Sequence, residues 1–135
     1  MANNFEHVSQ QLVKPKSLVY TAMSKHLFYY RMHISKYVIE QGSVPLNPFM
    51  VFDYFLLDTV DRDLVREGDN SLVMRADETW VFGNVSNGVL AEIQLAKQHH
   101  KPVKYFAIEK PHHIVPTDPE HVQMEPDVAK FKSLL

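Results

Sequence analysis

Cysteine is absent from the 135 residues, which excludes disulfides, cysteine-ligated zinc and a thiol nucleophile. Glycine is scarce, with four in all, and none forms the G-x-G-x-x-G turn of a dinucleotide fold, so a site of that type is not expected. A strong charge of either sign is missing too. The formal net charge of -2 leaves no electrostatic footprint for a nucleic-acid polymer or an anionic membrane. No apolar run approaches the roughly 20 residues that span a bilayer. The opening Met1-Ala-Asn-Asn-Phe-Glu-His7 lacks the basic start and apolar stretch of a signal peptide. A cytoplasmic domain with no membrane partner is the expectation. The eight histidines, with the pairs His99-His100 and His112-His113, never take H-E-x-x-H spacing. Surface positions explain them better than a metal site, and neither metal nor cofactor is expected.

What remains is an ordinary globular balance, 45% hydrophobic and 22% charged, at the length of one domain over 1–135. After a polar lead-in over 1–16, with a short helix around Phe5 to Val13, Ser17 to Ala22 reads as a first strand. Leu27, Tyr30, Ile34 and Val38 recur at helical spacing between Lys25 and Gln41, and Gly42 stands where a helix C-terminal glycine belongs. Val44 to Pro48 reads as a short second strand. Met50 to Leu57 reads as an apolar helix and Asp61 to Ala76 as another. Glu78 to Phe82 is the third strand, Val89 to about His99 the next helix and Pro102 to Ile108 the fourth strand. Alternating elements of these lengths predict one small doubly wound α/β domain, Rossmann-like or flavodoxin-like, with four or five mostly parallel strands and helices on both faces. Its core spans 17–108. The proline-rich tail over 109–135 wraps the surface and ends in a helix from about Asp127 to Leu135.

One segment concentrates the chemistry. Ser86-Asn-Gly88-Val-Leu-Ala-Glu92 follows the third strand directly. It sets a hydroxyl, a glycine and a carboxylate at a strand-to-helix junction, where α/β proteins hold their ligands. The N–H groups and dipole of the helix start suit a phosphate or sugar oxygen; Ser and Gly before a helix are equally ordinary caps. Asp69 shares a helical stripe with Val65, Leu72 and Ala76, and an acid on such a face either points into a cleft or pairs across an interface. Asp77 suits a turn better than catalysis. Ser86 lacks the G-x-S-x-G elbow of a hydrolase triad. Met23-Ser24-Lys25-His26, after the first strand, holds donors for a phosphate. Trp80 and Phe52-Asp-Tyr-Phe55 suit core or subunit interface.

Tyr20 and Ser24 after the first strand, Asp69 before Asp77, then Ser86, Gly88, Glu92 and Lys101-Pro102-Val103 make the chain, over about 17–108, resemble a known group. It is similar to the nucleoside 2-deoxyribosyltransferase-like superfamily, which includes the 2'-deoxynucleoside 5'-monophosphate N-glycosidases. Val44-Pro-Leu-Asn-Pro-Phe and Trp80-Val-Phe-Gly resemble its small bacterial and phage members. The resemblance implies that Glu92 is a nucleophile at the anomeric carbon of a nucleoside or nucleotide. It makes Ser86 and Gly88, assisted by Ser24, holders of the 5'-oxygen or phosphate, and Tyr20 and Asp69 the lining of the reacting centre. Asn47 is the one amide proposed for the base. A non-catalytic nucleotide sensor is the alternative. The glycine-rich turn usual after the first strand is Thr21-Ala-Met-Ser-Lys-His26 here, a departure on the phosphate side. A homodimer, or a multiple of one, is expected from the apolar run Phe49 to Leu57 and from the way the group assembles.

Overall fold

The computed structural model describes residues 4–53, 56, 58–110 and 112–135. Its centre is β1 (Leu18–Met23), a run of β-branched, aromatic and small apolar residues buried at all but its first position. Such continuous apolarity belongs to a strand covered on both faces. It pairs in parallel with β2 (Val44–Leu46) on one side and β3 (Glu78–Phe82) on the other. Beyond β3 lies β4 (Val103–Lys110), again parallel, and then β5 (His113–Thr117), antiparallel, giving the order β2-β1-β3-β4-β5. The chain moves outward from β1 to β2, then returns to the other side of β1. The crevice between the carboxyl ends of β1 and β3 is therefore the topological switch point.

Helices cover both faces. Alternation sends Val19, Met23, Trp80, Phe82 and Phe106 to one side, where Ile34 and Val38 of α1 (Arg31–Glu40) and Phe49 of α2 (Pro48–Val51) close over them. Tyr20, Ala22, Val81 and Tyr105 face the other side, under α3 (Arg62–Arg75) and α4 (Asn87–Gln98). The doubly wound expectation holds. No helix among the described residues is long and apolar enough to cross a membrane.

Several local expectations differ from what forms. The helix expected from Lys25 is a 3-10 segment over Lys25–Tyr30 and becomes α-helical only at Arg31; the tight turn sets Leu27, Phe28 and Tyr30 against the α1-side core. The helix expected over Met50 to Leu57 stops at Val51, and Asp53 takes a positive φ of 57°; Tyr54, Phe55 and Leu57 lie outside the described residues. The lead-in forms only a 3-10 turn, Val8–Gln11, and the terminal segment Pro126–Leu134 is 3-10 with a kink at Phe131. The proline-rich tail contributes the fifth strand, β5, with Pro116 inside it. An edge strand tolerates it, since only one side needs donors. Gly83 ends β3 at φ 72°, and a Cβ there would stand 2.7 Å from the Leu27 side chain.

Candidate active site

Three side chains distant in sequence meet between the sheet and the α3/α4 layer. The pleat of β1 turns Tyr20 to that side, where it is fully buried. Ser86 caps α4 by accepting the Val89 N–H at 3.3 Å, which fixes the helix start and puts Glu92 in the second turn. Glu92 stands one turn from Val89 and one from Ala96, within the stripe that faces the sheet. An acid in that stripe needs a partner, and the Tyr20 hydroxyl donates to Glu92 Oε2. Asp69 descends from α3 beside Leu72, Val73 and Ala76, and its Oδ1 is buried without a hydrogen-bond partner among the described residues. Two hydroxyls on the same sheet face, Thr79 beside Tyr20 and Tyr105 beyond Val81, are likewise buried without one.

Burial dominates the electrostatics of this cluster. It pushes Glu92 up from 4.5 to about 8; donation by Tyr20 pulls the other way and the Asp69 charge adds to the rise. Burial also lifts Asp69 from 3.8 to about 6. Tyr20 is held well above its usual 10 by burial first, then by the charges of Glu92 and Asp69. Both carboxyls are thus held above the ordinary carboxylate range, Glu92 further than Asp69. Perturbed carboxyls with distinct environments are what acid–base and nucleophilic chemistry requires.

The residues expected to hold a 5'-oxygen or phosphate, Ser24, Ser86 and Gly88, follow the carboxyl ends of β1 and β3. Gly88 is exposed in the first turn of α4, and an added Cβ would meet nothing within 4 Å; the chain's own packing does not require glycine there. Ser24 is buried and donates to Glu125 Oε2 at 2.8 Å, while its oxygen caps the following 3-10 segment. Glu125 had no local sequence signal; only the path of the tail brings it to the crevice. Asn47 is 2% exposed and internally committed: its amide donates to Arg31 O at 3.3 Å and Ser35 Oγ at 3.2 Å, and accepts from Phe49 N at 3.0 Å. Its role here is to cap α2. Asp77 Oδ2 accepts the Leu18 N–H at 2.8 Å, at the opposite end of β1 from the crevice.

The span from Val19 to Phe106, which carries every one of these groups except Glu125, matches the model of a domain of unknown function, DUF7768. The chain belongs to the DUF7768 family. No curated protein matches it. Two hollows of this DUF7768 domain lie off the acid cluster: one of about 460 Å³ against Tyr37, Trp80 and Phe106, and one of about 220 Å³ against Gly83, Asn84 and Gln123. Neither is lined by Tyr20, Asp69 or Glu92. The larger hollow has no acid in its lining. Among the described residues no three His, Asp or Glu side chains gather to hold a metal ion.

Proposed function

We propose that this protein cleaves the N-glycosidic bond of a nucleoside or nucleoside monophosphate, with Glu92 as the nucleophile. The observation that carries the reading is the cluster itself: the Tyr20 hydroxyl on Glu92, and a buried Asp69 oxygen, unpartnered among the described residues, whose charge acts on both groups. In the reaction, Asp69 takes the proton from Glu92. The Glu92 carboxylate then attacks the anomeric carbon as the bond to the base breaks. The bond electrons leave with the base, which receives the proton through Asp69. Positive charge developing on the sugar is what a buried carboxylate stabilises. Water releases the sugar from Glu92 and returns a proton to the cluster; a second base in its place gives transfer. The order of Tyr20, Asp69, Ser86, Gly88 and Glu92 resembles the nucleoside 2-deoxyribosyltransferase-like group, and this supports the same reading. Asn47 is left out of the base site because its amide is engaged internally.

Incubation with a panel of nucleosides and nucleotides, followed by chromatography for free base, tests the proposal. Release by the native protein and its loss in Glu92→Gln is the expected result; release that survives Glu92→Gln removes the assignment. A non-catalytic nucleotide sensor is the second reading, favoured by the serine-capped 3-10 turn that stands in place of a glycine-rich phosphate turn after β1. Exposed Met50, Val51, Leu56, Val60 and Leu64, from α2 to the start of α3, support assembly as a homodimer or a multiple of one. Light scattering at the monomer mass of 15.7 kDa would contradict that.

A further inference from the structure

We propose that Glu125 makes this a nucleoside site, accepting a neutral 5'-hydroxyl and excluding a 5'-phosphate. The inference rests on the glycosidase reading above and names its substrate class. The tail brings Glu125 to the switch point and holds it there. Val85, the residue before the α4 cap, donates to Gln123 O at 2.9 Å and accepts from Glu125 N at 2.8 Å, and it forms a parallel bridge with Met124. Further along, Gln94 and Lys97 of α4 donate to Leu134 O at 3.3 and 3.0 Å, Lys132 donates to Val122 O, and Val122 and Val128 are buried. The Glu125 carboxylate is thus a built part of the crevice.

Its chemistry selects. An ionised carboxylate only accepts hydrogen bonds; a sugar hydroxyl can donate to it, whereas a phosphate at neutral pH brings further acceptors and like charge. The Ser24 proton, which a phosphate would need, is already given to Glu125 at 2.8 Å. Among the described residues no cation forms an ion pair with Glu125. The attraction of the α4 start for an anion is therefore opposed by a carboxylate whose backbone is tied to Val85, the residue before the α4 cap.

The experiment measures kcat/KM for base release from a 2'-deoxynucleoside and from its 5'-monophosphate, in the native protein and in Glu125→Gln. In parallel, inorganic phosphate is titrated while the Asn87 and Gly88 amide resonances are followed by NMR. The native protein should favour the nucleoside by at least about tenfold, the equivalent of about 1.4 kcal/mol, and its amides should not respond to phosphate. Glu125→Gln, which keeps the shape and the Ser24 bond, should narrow the ratio and gain the phosphate response. Ser24→Ala, which keeps the charge, should still exclude phosphate. A native preference for the monophosphate overturns the inference and leaves the glycosidase reading standing. So does an equal rise for both substrates in Glu125→Gln, which would make the tail a plug, not a filter. If no substrate releases base, the glycosidase reading fails; the titration still judges Glu125, and equal phosphate binding by native and variant proteins overturns its role.

Discussion

Replacing Glu92 by Gln should stabilise the protein, and by an amount that grows with pH. The substitution keeps the side-chain shape and lets the Tyr20 hydroxyl donate to the amide oxygen as it does to Glu92 Oε2. What it removes is an ionisation that burial makes costly, since Glu92 is raised from 4.5 to about 8. Between those values the unfolded chain releases a proton that the folded protein retains. The native protein therefore loses stability as pH climbs through that window, and the loss levels off above it. At 1.36 kcal/mol for each tenfold change, the interval from 4.5 to about 8 amounts to about 5 kcal/mol at most. For a domain of this size that is on the order of 15 °C in melting temperature. Urea denaturation of both proteins at about pH 5, pH 7 and pH 9 reads the effect directly. The two should be nearly equal at the acid end and should separate progressively towards the alkaline end, with Glu92→Gln the more stable. Parallel profiles would refute the claim that burial holds the Glu92 carboxyl well above its ordinary pKa in the folded protein, independently of any activity.

Tyr20→Phe removes a contact that favours the ionised form of Glu92; destabilisation of about 1–3 kcal/mol by chemical denaturation and an upward shift of the pH at half-maximal base release are expected. Asp69→Asn removes a group that titrates at about 6, so the pH–rate profile should lose its limb near that value while the rate falls, and an unchanged profile would return Asp69 to a structural role. Gly88→Ala meets open space in the first turn of α4; thermal melts should show stabilisation of about 0.5–1 kcal/mol together with impaired base release, and improved stability without loss of activity would mean that no ligand approaches there. Ser86→Ala removes the cap on Val89 and should cost about 1 kcal/mol of stability, measured by urea titration.

Much of the candidate site is readable in the order of residues because its parts are governed locally. Ser86 announces a cap, and the cap phases α4, so Glu92 must fall in the stripe that faces the sheet. The 65, 69, 72, 76 spacing likewise commits Asp69 to an apolar face, and the alternation of β1 commits Tyr20 to one side of the sheet. Period and capping act over a few residues, so sequence alone determines them, together with the doubly wound class that follows from alternating elements. Other features depended on contacts between distant segments. Asn47 reads as a ligand amide in sequence, and in the fold it is buried with its amide bonded to Arg31, Ser35 and Phe49. The Lys25–Tyr30 segment has helical spacing, yet packing against the sheet tightens it to a 3-10 turn. The rise of the two carboxyl pKa values comes first from desolvation between the sheet and two helices, which no local pattern encodes. Glu125 is the clearest case: it stands 101 positions from Ser24, and only the return of the tail past β3 brings it to the crevice at the ends of β1 and β3.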